Sequence, residues 1–429
     1  MGKQGLLKSI LALPLLLAIG NVSALADEGL EGLHLSGFGT LGYVQDNRSD
    51  LTPTRDISQL PKIDYTAGSW KLDSRLGAQL EYRLSPTIDL VGQVVWRDHF
   101  KSDVNSAIEL AYASIRPQPQ LDIRVGRVNY DAFLMSDYRN VGYAYTWVRP
   151  PIEFYGWIPI FSLNGVDAAY NIHTDDLIAD NVRWRIKAQT GSSKFSIPIA
   201  AGKDGGYGFS TANLASVSVT RQSTFWRLKA AHSRFTIGSE VPVFAPLHQG
   251  LDRVAAAGIP AVSAEAADLR NHLSFNGAKI SYTTLGAAYD DGVWVAQGEL
   301  GYTTATAAVV PHGSMAYVSG GRRFGDWTAF AMLSTSRPGN DLRGPSNDWG
   351  ALNPILRDRA LDIMNSTRNE QDTVSVGTRW DFQRQAALKL QWDRTTIQPS
   401  GYGLWNRDPS TPNQSRHVNL FTATLDFVF

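Results

Sequence analysis

The chain has 429 residues, no cysteine, and forty basic against forty acidic side chains. The missing thiols exclude disulfides, thiolate metal sites and cysteine nucleophiles together. A balanced charge gives no reason to expect a nucleic-acid partner.

The N-terminus has three parts. Lys3 and Lys8 supply positive charge, Ile10 to Ile19 is apolar, and Ala24-Leu25-Ala26 is a small-x-small cleavage pattern. Together they make a secretory signal peptide over residues 1–26, cut after Ala26. Its apolar run is shorter than the ~20 residues of a spanning helix. The mature chain, 27–429, loses two lysines and no acid, which leaves a net charge of −2.

The clearest predicted strand runs from Trp70 to Leu84. Trp70, Leu72, Leu76, Leu80, Tyr82 and Leu84 alternate with Lys71, Asp73, Arg75, Gln79, Glu81 and Arg83. Period two over that length gives one apolar and one polar face. Sandwich strands are usually nearer five or six residues, whereas a tilted strand crossing a bilayer needs ~9–11. After the turn Ser85-Pro86, Ile88, Leu90, Val94 and Trp96 alternate with Asp89, Gln93 and Arg97. In chain order the predicted strands are 33–45, 70–84, 87–98, 107–116, 121–127, 164–171, 181–190 and 213–221. They continue at 223–234, 275–288, 292–303, 313–323, 326–336, 371–381, 386–396 and 416–429, sixteen in all.

Short turns and long loops alternate along the chain without exception. An even-stranded membrane barrel with both termini on one side requires that arrangement. A closed sheet also satisfies every backbone N–H and C=O in hydrocarbon. The fold class is therefore an all-β, antiparallel transmembrane barrel of about 16 strands. Trp70, Tyr82, Trp96, Tyr112, Trp294, Tyr302, Trp392 and Phe427 suit its interfacial girdles. The last strand, Phe421 to Phe429, ends on an aromatic residue, as the closing strands of outer-membrane barrels do.

With the apolar parity toward lipid, the interior receives many charges. Strands two to five supply Lys71, Asp73, Arg75, Glu81, Arg83, Asp89, Arg97, Glu109, Asp122 and Arg124. Later strands add Arg183, Arg185, Lys187, Arg227, Lys229, Lys279, Glu299, Arg379, Asp381, Lys389 and Asp393. Unpaired ions packed dry cost several kcal/mol each, which implies a water-filled lumen. The third long loop, 128–163, is unusually aromatic for a solvent-exposed segment and needs a surface to pack on. The available surface is the inner wall, and Pro150-Pro151 stiffens its return limb.

The signal peptide, strand pattern, third loop and terminal Phe together resemble the Gram-negative porin superfamily, over essentially the whole mature chain. The run from Arg139 to Glu153 is similar to a proteobacterial branch distinct from the enterobacterial general porins. The resemblance implies a passive channel for small hydrophilic solutes, without a cofactor. It also implies a homotrimer in the outer membrane, in contact with lipid and lipopolysaccharide. Its third loop would fold inward and face wall arginines. Carried over by position, the wall side of the constriction is Arg75, Arg97 and Arg124. The loop side is Asp131, Asp137 and Glu153, with Arg139 and Arg149 among them. Opposed charges across such a gap make a transverse field. The alternatives are a channel selective for a sugar or small organic acid, and an outer-membrane barrel enzyme or adhesin. For a hydrolase, His34, Ser36 and Asp426 are the nearest candidates, and a polar closure of the barrel is their simpler role. The remaining histidines show no metal-ligand spacing.

Overall fold

The computed structural model describes residues 32–59, 66–98, 104–176, 181–198, 206–408 and 411–429. The signal peptide and its cleavage after Ala26 lie outside them. Sixteen antiparallel strands form one barrel. The first eight are β1 (Leu33–Asp46), β2 (Arg75–Ser85), β3 (Ile88–Arg97), β4 (Ile108–Gln118), β5 (Leu121–Asn129), β6 (Ser162–Thr174), β7 (Val182–Ser192) and β8 (Gly206–Gln222). The rest are β9 (Trp226–Ile237), β10 (Lys279–Asp290), β11 (Trp294–Ala305), β12 (Gly313–Phe324), β13 (Trp327–Pro338), β14 (Asn369–Gln383), β15 (Ala386–Tyr402) and β16 (Arg416–Val428).

Each strand pairs with its neighbours in sequence, and β1 pairs with both β2 and β16, so the barrel is closed. Short turns such as 86–87 and 325–326 join strands at one end, and long segments such as 130–161 and 238–278 at the other. At the closing seam the backbones of Gly37 and Phe429 exchange hydrogen bonds of 2.9 and 3.0 Å. The Phe427 and Phe429 rings lie across Gly39 and Gly37, where a Cβ would stand 2.3 and 2.2 Å from ring carbons.

The barrel is apolar outside and polar inside. Leu300 is 62% exposed while Glu299 beside it is 2% exposed, the reverse of a water-soluble sheet. Phe225, Trp226, Trp294, Phe324, Trp327 and Trp380 ring the short-turn end, all exposed. Trp70, Trp96 and Tyr302 do the same toward the long-loop end. Tyr112 is not in either girdle. The register of β3 against β4 skips one residue, pairing Gln93 with Leu110 and Val94 with Ile108, so Glu109 is a bulge. The bulge puts Glu109 and Tyr112 both inside, where period-two counting had separated them. Lys279 also departs from expectation: Tyr282 and Thr284 are the buried parity of β10, and Lys279 is exposed on the other.

Beyond the barrel, strand Lys194–Pro198 pairs with the start of β8, and Leu51–Pro53 pairs with Trp405–Arg407. Three helices, Ala245–Ala255, Pro260–His272 and Pro354–Ser366, pack over the long-loop end through Leu251, Val262, Leu269, Leu361 and Met364. The Ala-rich stretch 254–268 falls across two of these helices. Gly258, at φ +76°, and Pro260 in the first turn of the next helix divide it into two.

Gly126, Gly165 and Gly191 stand side by side on β5, β6 and β7. A Cβ on Gly165 would lie 2.0 Å from the Thr190 carbonyl oxygen, which the backbone cannot relieve cheaply. Gly165→Ala should lower the urea midpoint of the folded barrel by an amount corresponding to about 2 kcal/mol or more. Gly320→Ala, where a Cβ meets open space, should leave it unchanged. Tryptophan fluorescence in detergent reports both.

Candidate functional site: the barrel interior and its third connection

Tyr130 to Phe161 connect β5 to β6, and their polar contacts run to inner-face side chains from β7 round to β16. Aromatic packing explains the course of the segment. The Phe133 ring meets Tyr130, Phe154 and Tyr155 of the connection and Tyr282 of β10, at centroid distances of 5.1 to 6.4 Å. Trp147 and Phe154 both meet Tyr317 of β12 edge-on. Each ring burial removes a large apolar area from water, which a free surface loop could not do. A short helix, Ile152–Tyr155, starts directly after Pro151.

Polar contacts then fix the segment to the wall at separate stations. Asp131 forms an ion pair with Lys229, has Lys187 at 3.7 Å, and accepts from Ser218 Oγ at 2.7 Å. Lys229 Nζ also donates to the Phe133 carbonyl, at 2.7 Å. Lys389 of β15 gathers the carbonyls of Gly142, Tyr145 and Trp147 at 2.6, 2.6 and 2.8 Å, beside Asp426 at 3.2 Å. Gly142 itself sits so close to the wall that a Cβ would stand 2.0 Å from Asp426 Oδ1. Glu299 of β11 accepts from the Leu134 backbone N–H at 2.8 Å, and from the hydroxyls of Tyr155 and Tyr317.

Arg149 reaches furthest across. Its guanidinium donates to Asp73 through Nε at 3.1 Å and Nη2 at 2.7 Å, to Asp393 at 2.9 Å and to Thr422 at 2.6 Å. These two carboxylates hold its pKa above the ordinary arginine value despite burial. Asp73 also receives Arg55, at 3.0 Å. Glu153 meets no base among the described residues. It accepts from Ser334, Gln371 and Thr373, and burial pushes its carboxyl above the usual range against those three bonds.

The eight residues expected at the constriction do not face one another across a single gap. Loop acids were expected to oppose wall arginines, yet Asp131 meets lysines and Arg149 meets wall acids. Arg124 is occupied by a neighbour on the wall: it pairs with Asp167 of β6 at 2.5 Å and lies over the Tyr112 ring. Arg97 and Arg139 stack on the Phe161 ring at 3.7 and 3.5 Å, and Arg97 donates to Asn140 at 3.0 Å. Burial holds the Arg139 guanidinium down at about 10. Asp137 is exposed and accepts from Asn129. Arg75 is buried, with no partner among the described residues for any of its three guanidinium nitrogens.

Charge alone therefore does not make this interior wet. Asp73, Asp167, Lys187, Glu299, Lys389 and Asp426 are each at most 3% exposed, held by partners rather than by solvent. Sequence counting missed this because alternation turns a charge inward without naming its partner, which lies on a neighbouring strand or on the connection. The wall at the short-turn ends of β2 to β7 differs. Glu81, Arg83 and Arg183 are exposed there, and Asp89, Asp122 and Arg185 half-buried. A polar cavity of about 720 Å³ at the long-loop ends of β3 to β8 is bordered by Arg97, Glu109, Phe161, Asn164 and Lys194.

The hydrolase candidates come apart. Asp426 lies opposite Thr40 and donor Thr40 Oγ1 bonds it, six residues along β1 from His34, or roughly 20 Å at strand rise. His34 and Ser36 lie opposite Glu81 and Gln79 of β2. No group of acids and histidines among the described residues is arranged to hold a metal ion.

No model of a known protein family and no curated protein sequence matches the chain. Solved structures do. An outer-membrane expressed OmpT of Vibrio cholerae aligns at TM-score 0.50 and 10% identity, over 94% of this chain and 99% of that one. An anion-selective porin from Comamonas acidovorans aligns at 0.49 and 11%, over 92% and 99%. OmpF of Salmonella typhi aligns at 0.49 and 11%, over 92% and 97%. The likeness is one of fold. With sixteen strands closed on themselves, apolar outside and alternating short and long connections, this chain has a porin-like outer-membrane barrel fold.

Two substitutions separate the kinds of station. Arg149→Ala strands Asp393 and half-strands Asp73 in a buried site, and should destabilise the barrel by about 3 kcal/mol or more. Glu153 binds its proton more tightly folded than unfolded. Its contribution to stability is thus present below the ordinary glutamate range and is lost as pH rises through the raised value. Glu153→Gln should accordingly match or exceed the parent's urea midpoint at pH 8, and the two should converge near pH 4. A variant clearly weaker than the parent at pH 8 would show that the carboxylate itself is needed.

Proposed function

We propose that this protein is a passive channel for small hydrophilic solutes and ions in the outer membrane of a Gram-negative bacterium. The observation that carries the reading is a porin-like barrel crossed by its third connection, with the wall of β2 to β7 left charged and in water. Such a wall gives a polar path a low desolvation barrier, while lipid sees only the apolar parity. The protein works as a homotrimer, on the sequence resemblance to porins, in contact with lipid and lipopolysaccharide through its outer face.

In this reading the constriction residues divide by task. Arg97 and Asp137, at the edge of the open region, meet the solute. Asp131, Arg139, Arg149 and Glu153 hold the third connection in place, Arg124 is tied to Asp167, and Arg75 is buried behind them. A second reading, a substrate-selective channel, is favoured by how much of the interior the connection occupies.

Single-channel recording in planar bilayers tests the proposal. Correctly folded protein should give discrete ion-conducting steps, and their absence would overturn the reading. Arg97→Gln should shift the reversal potential toward cation selectivity, whereas Arg75→Gln should leave it unchanged. Equal shifts from both would return Arg75 to the solute path.

A further inference from the structure

A second cavity lies at the long-loop end, and its chemistry differs from that of the charged interior. It measures about 370 Å³, and its described lining comes from seven of the long connections. That volume lies in the range of small-molecule sites. Among the described residues, no Asp, Glu, Lys, Arg or His lines it. Trp157 of the third connection and Trp405 of the last contribute to its walls, with Ile197 and Val310. A chain of aromatic rings runs along one side. Phe195 stacks on Phe209 at 5.3 Å and 15°, Phe209 meets Phe275 at 5.1 Å, and Phe275 stacks on Phe244 at 5.9 Å and 19°.

Most polar side chains on the lining are already engaged. Thr54 donates to the Leu404 carbonyl, Gln59 to that of Leu72, Ser366 to that of Ile363, and Thr367 to that of Ala308. Trp405 Nε1 donates to Gln371. Trp157 Nε1 and Thr303 Oγ1 are left without a partner among the described residues. These two neutral groups can meet a hydroxyl but repay little of an ion's hydration, and a buried charge without a counter-charge is strongly disfavoured. Flat ring faces and aliphatic walls suit an aromatic molecule instead. Enclosure by so many separate segments gives concave walls, unlike a flat protein-docking face.

We infer that this cavity binds an uncharged, predominantly aromatic small molecule at the mouth of the barrel. The inference concerns binding and takes from the proposed function only that the long loops face the outside.

The probe is 1-naphthol, with 1-naphthoate as its charged counterpart, titrated against full-length folded protein in detergent. Quenching of tryptophan fluorescence reports occupancy, and equal partition into micelles cancels between variants. Naphthol should bind saturably, and naphthoate about tenfold more weakly or worse. Val310→Trp and Ile197→Trp, at half-buried lining positions, should each weaken naphthol binding about tenfold while keeping the parent's heat-modifiable gel mobility. Two such variants guard against one failing to fold. No saturable naphthol binding, equal binding by folded parent and variants, or naphthoate binding as tightly as naphthol would each overturn the inference. Conductance from the same preparation keeps the two proposals separate. Protein that conducts but binds no naphthol loses only this site, and protein that binds but does not conduct loses only the channel.

Discussion

The backbone of a strand in hydrocarbon has no water to bond, so both of its edges must be occupied by other strands. In this chain that demand is met only when β16 returns to β1, where Phe429 and Gly37 bond each other's backbones. Closure fixes which way every side chain points. Leu300 goes to lipid because Glu299 goes inside, and the same choice repeats along each strand unless a bulge intervenes. The glycines at the seam let Phe427 and Phe429 lie flat over the joint, covering backbone that would otherwise face lipid.

Closure also creates an interior that the wall cannot fill by itself. Sixteen strands enclose more space than side chains of one sheet occupy. The third connection supplies what is missing, bringing aromatic rings for the apolar volume and a charge or a hydrogen-bonding group for several of the buried ions. Arg149 bridges Asp73 and Asp393, Asp131 joins Lys229, and Lys389 binds three carbonyls of the connection while pairing with Asp426. Each buried charge would be costly alone, so wall and connection are stable together in a way neither is apart. Function is then divided in space. Charges buried with partners hold the segment, and those at the short-turn ends of β2 to β7, several paired with one another, remain in water. The apolar chamber above them, roofed by outer loops, provides a third environment.

All sixteen strands, their order and the alternation of short and long connections are readable in the residues, because period-two patterning and turn chemistry are local. So is the terminal Phe, whose place at the seam follows from being last in a closed sheet. Tyr112 shows how local reading fails. A single bulge residue, Glu109, reverses parity beyond it, and nothing in the alternation marks the skip. Lys279 failed for another reason: β10 turns the apolar Ile280 and Tyr282 inward, with Tyr282 against Phe133 of the third connection, so its polar parity faces out. The candidate site was legible as a set of residues and not as a set of pairs. Arg149 and Asp131 stand out in the third connection, but their partners are 76 to 273 and 56 to 98 residues away.

By itself the sequence determined for most strands which face meets lipid and which meets the interior, since that follows from alternation wherever no bulge or inward apolar packing reverses it. It determined too that the third connection is too aromatic to stand in water. Only the tertiary structure decided which interior charges are paired and which are wet. That depends on where one connection crosses the barrel, and the crossing is set by contacts between segments far apart in the chain.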